Sequence, residues 1–265
     1  MPSTPQKELD KRVTAEKAAH DDNDVLAESY KLKNRFKHIW VYPSRKEFDT
    51  LFHENLKNIS GLSILDYGCG LGNQSISYLR DGALVTGIDI SEKYIEKCNH
   101  LAERHNLPIE TYNFFVMDAH HLEFPDNSFD IVAGNGILHH LDPCIAMKEI
   151  HRVLKPGGRV LLQEPLADNP LLKLFRVLTP FARTEDEMPF SKADLATIIN
   201  SDIWQSQSFY CGIIEAPIAM ITSLIIPSKP DNVFLRLAHR IEKAFLKRSL
   251  LLSWNQYVLL NLVKK

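Results

Sequence analysis

The 265-residue chain predicts an α/β fold, an open and mostly parallel sheet with helices on both faces, and three observations predict it. A short apolar strand, Ser63-Ile64-Leu65, stops at Asp66 and runs into Gly68-Cys69-Gly70-Leu71-Gly72, after which residues 73–80 read as a helix. A second strand over residues 84–88 ends at Asp89, 19 residues beyond Gly70. From there to Glu164, strand-like and helix-like segments alternate without a break, which is the pattern of parallel strands wound by helices.

Taken in order, residues 1–24 are rich in charge and hold no apolar core of signal-peptide length, so they are expected to be mobile and secretion is not expected. Over residues 25–40, Val25, Tyr30, Phe36, Ile39 and Trp40 recur at roughly helical spacing, and Lys31, Lys33, Arg35 and Lys37 make a basic face that a solvated helix side accounts for. Pro43 breaks that helix, and Ser44 precedes another over residues 45–57 that buries Phe48, Leu51, Phe52 and Leu56. After the second strand, Ser91 caps a helix running to about residue 106, ended by Leu107-Pro108. A third strand, residues 109–116, leads to Met117-Asp118-Ala119, and a fourth, residues 129–133, leads to Asn135-Gly136-Ile137-Leu138-His139-His140. Residues 143–154 form a helix, and Lys155-Pro156-Gly157-Gly158 is a turn feeding a fifth strand over residues 159–163. Beyond Glu164 lie an irregular apolar arm to residue 190, a helix over 191–201, and strands over 203–211 and 254–263. Between those two strands, residues 213–226 are nearly all apolar and residues 234–252 are basic and amphipathic.

Charge is nearly balanced at -2, which gives no electrostatic footprint for nucleic acid. The four cysteines, Cys69, Cys98, Cys144 and Cys211, form no C-x-x-C pair and read as reduced thiols of a cytoplasmic protein. The apolar run at 213–226 is shorter than the roughly 20 residues a spanning helix needs. It reads as a buried lid, or as one half of a hairpin that covers a greasy substrate or touches a membrane surface peripherally.

The glycine turn lets a ligand lie against the main chain where the amides of a helix N-terminus point outward, and an acid at the tip of the next strand is placed to take the hydroxyls of a ribose. This is a nucleoside pocket. A dinucleotide fingerprint needs its third glycine at the sixth position, which is Asn73 here, and Asp66 would repel a diphosphate while attracting an ammonium group. A nucleoside carrying an amino-acid tail fits better.

The D-x-G-x-G-x-G pattern of Asp66, Gly68, Gly70 and Gly72 resembles that of the class I S-adenosylmethionine-dependent methyltransferases, of the kind with a type 11-like domain. The resemblance implies a Rossmann-like sheet of seven strands with the last one antiparallel, and S-adenosyl-L-methionine as cofactor. It also implies a cofactor site: Asp66, Gly68, Cys69, Gly70 and Asn73 around the methionine end, Asp89 with Ile90 at the ribose, Asp118 at the adenine amino group, Met117 and Ala119 beside the ring, and Asn135 and Gly136 after the fourth strand. Domain organisation follows as a mobile segment 1–24 and one domain over 25–265, with N-terminal helices 25–60, cofactor core 61–164, substrate arm and lid 165–253, and final strand 254–265.

His139, His140 and Glu164 are the candidates on the acceptor side, because they leave the sheet beside the place where the sulfonium would lie and imidazole can accept a proton as a methyl moves. A histidine that only packs on the cofactor gives the same pattern. No metal is expected, since adjacent histidines such as His120-His121 and His139-His140 cannot easily turn both rings to one ion. Asn135-Gly136-Ile137-Leu138 lacks the Asn/Asp-Pro-Pro-aromatic pattern of enzymes that methylate planar amines, which also argues against nucleic acid. The reading is methyl transfer to a small, lipophilic molecule at an oxygen, carbon, nitrogen or sulfur left open. Its rivals are a nicotinamide-dependent oxidoreductase and a non-catalytic binding module on the same fold.

Overall fold

A computed structural model describes residues 6–21, 31, 33–178, 189–199, 202–245 and 249–265. The strands are β1 (Ser63–Tyr67), β2 (Leu84–Asp89), β3 (Tyr112–Val116), β4 (Phe129–Asn135), β5 (Leu154–Pro165), β6 (Trp204–Cys211) and β7 (Tyr257–Lys264). The helices are α1 (Gln6–Asp21), α2 (Pro43–Glu54), α3 (Asn73–Arg80), α4 (Glu92–Arg104), α5 (Pro143–Val153), α6 (Pro170–Leu178), α7 (Lys192–Ile199), α8 (Glu215–Ile225) and α9 (Val233–Phe245).

All seven strands join one sheet in the order β3-β2-β1-β4-β5-β7-β6. β1 to β5 pair in parallel, and β7 runs antiparallel to both neighbours, β5 and β6. β1 and β4 lie at the centre, where Ile64, Leu65, Ile131, Val132 and Ala133 are buried on both faces, and such strands can be apolar throughout. The chain leaves β1 toward β2 on one side and takes up β4 on the other. At that reversal the loops beyond the strand ends part and leave a crevice.

One face of the sheet packs against α2, α3 and α4 through Phe52, Ile76, Leu79, Ile95 and Cys98. The other packs against α5 and α7 through Ala146, Ile150, Leu195 and Ile198. A smaller cluster of Phe36, Ile39, Tyr42, Leu172, Ala216, Ala219 and Leu235 joins α6, α8 and α9 to the segment before α2. Helix starts follow their caps. The Ser91 hydroxyl accepts from Tyr94 N at 3.3 Å at the head of α4, and the Asp142 carboxylate accepts from Cys144 N and Ile145 N at the head of α5.

Several boundaries move from their sequence positions for identifiable reasons. Pro43 does not break a helix but opens α2, at the first turn where its missing N–H costs nothing, so Ser44 lies inside the helix rather than before it. Residues 155–158 fall within β5, with Gly157 at φ 73°, instead of forming a separate turn. Residues 109–111 wind as a 3-10 turn ahead of β3, and β7 begins at Tyr257 after a 3-10 turn over Ser249–Trp254. Of the helix expected over 25–40, residues 25–30 and 32 lie outside the described residues and Lys37–Trp40 is a 3-10 turn. The segment 1–24, expected to be mobile, contributes α1, whose Leu9 is buried and whose Lys17 pairs with Glu92 at 2.8 Å.

The acid inside the apolar run, Glu215, is an anchor. It is fully buried, accepts from Ser44 N at 3.1 Å and meets His239 Nδ1 at 2.9 Å. Glu242, also fully buried, accepts from Gly212 N, Ile214 N and Glu215 N at 2.7, 2.8 and 2.9 Å, placing negative charge at the N-terminal end of α8. Burial, and then the nearby Glu242, push the Glu215 carboxyl above its ordinary pKa. These bonds fasten the C-terminal helices to α2. Among the described residues no helix is long and apolar enough to cross a membrane.

Gly134 in β4 is a test of how tightly the centre is packed. A Cβ there would sit 2.8 Å from the Tyr67 carbonyl oxygen and 2.9 Å from Leu162 Cδ2, and a backbone atom cannot swing aside. Gly134→Ala is expected to lower the unfolding free energy by about 1–3 kcal/mol. An unchanged denaturant midpoint would contradict this packing.

Candidate active site

Two cavities meet at the C-terminal ends of β1 and β4. The first is lined by Gly68, Ile88, Asp89, Ile90, Met117, Asp118, Ala119, Ile137 and Leu141, with Val13 of α1 closing one side. The turn from β1 to α3 reaches it through Gly68: Gly68, Gly70 and Gly72 take φ of 74°, 52° and 79°, where a side chain is strained. A Cβ on Gly68 would strike Ile137 at 2.8 Å, but one on Gly70 would meet nothing within 4 Å. Gly70 therefore borders open space.

Asp89 is tied to that turn. Its Oδ2 accepts from Gly70 N at 2.9 Å and its Oδ1 from Ser91 N at 3.0 Å, so one carboxylate joins the end of β2, the glycine turn and the cap of α4. Asp118 Oδ1 accepts from His120 N at 2.9 Å and faces His120 Nδ1 at 2.8 Å, while the Tyr67 hydroxyl donates to the Ala119 carbonyl at 2.5 Å. Met117, Asp118 and Ala119 are thereby fixed along one wall.

Asp66 lies beneath the turn instead of in the cavity lining. It is buried and hydrogen-bonded by the Ser75 hydroxyl. Burial raises its carboxyl to about 6, with Asp89 adding to the rise and Ser75 opposing it. Cys69 is likewise buried, its Sγ 3.8 Å from that of Cys98, and Asn73 is exposed as the first residue of α3. Neither lines a cavity of the site.

The second cavity, of about 530 Å³, is lined from the sheet by Asn135, Gly136, His139 and His140, from α6 by Leu172, Phe175 and Arg176, and from α8 by Met220. Phe36, Ile39, Trp40, Arg45 and Tyr257 complete most of the wall. The lid expected from residues 212–253 thus contributes Met220, while α6 and the turn before α2 contribute more. Physical reasons are plain: the inward face of α8 carries Ala216, Ala219, Thr222 and Ser223, small or polar groups that pack on the Lys37–Trp40 turn and not on a ligand.

Glu164, fully buried at the end of β5, does not line that cavity. Its Oε1 accepts from Ile137 N at 3.2 Å and Leu138 N at 2.8 Å, and its Oε2 from His139 N at 3.3 Å and His139 Nδ1 at 2.8 Å. A carboxylate only accepts, so the Nδ1–H tautomer of His139 is fixed and Nε2 is left as the basic nitrogen. The His140 ring lies 4.0 Å from that of His139, and its carbonyl accepts from Arg12 of α1 at 3.1 Å.

Arg45 is the residue that sequence reasoning missed. On α2 it looks like one more surface cation, yet it is buried, stacks 4.4 Å from the Tyr257 ring centroid and pairs with Asp49 at 2.9 Å. Its Nη1 is buried with no hydrogen-bond partner. Such a group can donate to an anionic or carbonyl ligand. Among the described residues no three His, Cys, Asp or Glu side chains gather to hold a metal ion.

Residues 65–162 match the family described as a methyltransferase domain. That stretch is similar to a methyltransferase domain. Those residues run from β1 through the middle of β5 and hold most of the first cavity. The chain is 39% identical over 105 residues to the 27-O-demethylrifamycin SV methyltransferase of Amycolatopsis mediterranei, covering 39% of this chain and 38% of that one. It is 37% identical over 120 residues to a demethylmenaquinone methyltransferase of Staphylococcus aureus, covering 44% and 47%. The chain thus spans less than half the length of these relatives. Among solved structures, the geranyl diphosphate C-methyltransferase of Streptomyces coelicolor shares the fold with TM-score 0.60 at 13% identity, over 84% of this chain and 80% of that one. The [4+2]-cyclase SpnF shares it with TM-score 0.56 at 20% identity, over 83% and 80%. A fold carried by proteins named as a methyltransferase and as a cyclase does not by itself decide an activity.

The buried acid beneath the glycine turn yields a test by pH. Asp66 titrates near 6 when folded and near 3.9 when unfolded, so the folded state holds a proton that the unfolded state releases between those values. Its contribution is therefore most favourable below pH 4 and is lost as pH rises to 6, by about 3 kcal/mol in all. The stability of the wild type minus that of Asp66→Asn is expected to fall across pH 4–6 and level off above. A difference independent of pH would contradict the assignment.

Proposed function

We propose that the protein transfers the methyl group of S-adenosyl-L-methionine to a small, lipophilic acceptor bound in the second cavity. One observation carries the reading: the two cavities adjoin at residues 136–139, with Ile137 lining the first and Gly136 and His139 lining the second. The residues present fit the cofactor. Open space over Gly70 suits its tail, Asp89 suits the ribose hydroxyls, and the apolar slot of Ile90, Met117 and Ala119 beside Asp118 suits adenine. The unpartnered Nη1 of Arg45 suits the carboxylate of the amino-acid end, reached through the cavity that also holds Asn135 and Gly136.

When bound, S-adenosylmethionine supplies an electrophilic methyl carbon. What the chain contributes is alignment of the acceptor with that carbon, exclusion of water by the helices over the mouth, and a base. His139 Nε2 takes the proton released as the acceptor atom bonds to the methyl group, and Glu164, acting through Nδ1, holds the ring and stabilises the resulting imidazolium. Glu164 is accordingly a positioning residue. Apolar lining by Phe36, Trp40, Leu172, Phe175 and Met220 supports a lipophilic acceptor, as do the names of the relatives. Oxygen, carbon, nitrogen and sulfur acceptors all fit this scheme.

Free thiols at all four cysteines support a cytoplasmic setting. Peripheral membrane contact through residues 212–253 belongs to the same proposal, supported by Ile221, Leu224 and Ile225 of α8 and Val233, Phe234 and Leu237 of α9, which are all more than half exposed. Sedimentation with vesicles containing anionic lipid checks it, and a Leu224→Ser/Ile225→Ser variant is expected to stay in the supernatant. No sedimentation of the parent protein would rule the contact out.

The central experiment incubates the protein with S-adenosylmethionine carrying a CD3 methyl group and a panel of quinols, phenols, acids and terpenoids, reading the gain of about 17 daltons expected when one CD3 replaces hydrogen. With the acceptor found, His139→Ala is expected to lower kcat by about 10²–10⁴-fold while the dissociation constant for S-adenosylhomocysteine stays the same. Wild-type kcat in that variant would rule out His139 as the base.

A further inference from the structure

Beside the first cavity lies a histidine that the reaction above does not use. His120 is fully buried in the loop after β3, and both of its ring nitrogens are engaged. Its Nε2 lies 2.9 Å from the backbone nitrogen of Asp142, and its Nδ1 lies 2.8 Å from Asp118 Oδ1. A backbone N–H can only donate, so Nε2 accepts and carries no proton. The single ring proton is then on Nδ1, where it is donated to Asp118. The tautomer is determined by its neighbours at both ends.

The consequence falls on Asp118. Its Oδ1 takes two donors from one residue, the His120 backbone N–H at 2.9 Å and Nδ1–H at 2.8 Å, whereas Oδ2 accepts no hydrogen bond from the described residues. Burial by itself would raise this carboxyl, but the bonds from His120 outweigh it and hold the group below the ordinary carboxylate range. Asp118 therefore presents to the cavity an ionised oxygen that accepts and cannot donate.

We propose that His120 is a positioning residue that makes the nucleoside pocket selective for a 6-amino purine over a 6-oxo purine. The inference rests on the reading of Asp118 as the residue facing the base of S-adenosylmethionine. An exocyclic amino group donates to Oδ2. A carbonyl at the same position would set two acceptors against each other in a partly dry pocket, and a site that must leave a polar group unpaired discriminates strongly. Because His120 is also bonded to Asp142, the N-cap of α5, the orientation of Asp118 is braced by the helix.

Calorimetry with S-adenosylhomocysteine and S-inosylhomocysteine, on the whole chain, tests this without any turnover. The wild type is expected to prefer the adenine ligand by at least about tenfold, the effect of one charge-assisted bond. His120→Ala is expected to lose most of that preference. In His120→Asn the side-chain amide nitrogen can stand where Nδ1 stood and still donate to Asp118, so the preference is expected to persist within about threefold. This contrast separates positioning from general destabilisation, because both variants lose the bond from Asp142 N–H. Retention of the full preference in a folded His120→Ala overturns the proposal, and so does its loss in a folded His120→Asn, which decides the matter if the alanine variant does not fold. A wild type that binds both ligands equally overturns the proposal while leaving the cofactor site standing. A wild type that binds neither overturns the cofactor reading and this inference with it.

Discussion

The Asp89 carboxylate is the constraint on which the site depends. Three segments that need not lie together are joined by its two oxygens: the C-terminal end of β2, the glycine turn through Gly70 N, and the head of α4 through Ser91 N. The same turn is held from the strand side by Cys69 N donating to the Ile88 carbonyl at 2.8 Å, and from the helix side by Cys98 Sγ donating to the Gly70 carbonyl at 3.2 Å. A loop so fastened pays its ordering entropy on folding, so little remains to be lost when a ligand settles on it. The open space over Gly70 is then a preformed feature of the fold.

The second cavity is organised by an analogous device at the end of β5. Glu164 satisfies three consecutive backbone N–H groups and one imidazole, which converts the loop after β4 into a rigid shelf for His139. A buried carboxylate is costly unless fully bonded, and here the bonds it makes also orient His139. The outer wall is looser in kind. It is built from α6, α8 and the segment before α2, whose mutual packing is a small apolar cluster reinforced by the buried acids Glu215 and Glu242. Ser44 and Arg45 are adjacent on α2, so the residue bonded to the C-terminal helices and the residue facing the cavity share one helical turn.

Much of the core was legible because local chemistry dictates it. Gly68, Gly70 and Gly72 all adopt positive φ, α3 spans the predicted residues, and Ser91 caps α4 as its position implies. Asp89 and Asp118, read from the sequence at strand ends, both line the first cavity. What could not be read depends on partners far away in the chain. Arg45 follows the helical spacing of a solvated residue, and only the fold brings Tyr257 over it. Glu215 stood out as a charge within an apolar run, but its partners Ser44, His239 and Glu242 are set by tertiary packing. Glu164 was legible as a strand-end acid, yet its role differs, since burial turns it toward His139 and away from the cavity. His120 had no role assigned from the sequence, because the partners of its two ring nitrogens, Asp118 and Asp142, are brought to it by the fold.

The claim that everything else rests on is that the crevice at the ends of β1 and β2 holds S-adenosylmethionine through Asp89. Calorimetric titration of the wild type and Asp89→Ala with S-adenosylhomocysteine, and of the wild type with a nicotinamide dinucleotide, tests it most directly. The account predicts binding of S-adenosylhomocysteine by the wild type, no binding of the dinucleotide, and a loss of at least about tenfold in affinity on removing the carboxylate. Unchanged affinity in a folded Asp89→Ala variant, or tighter binding of the dinucleotide, would contradict it.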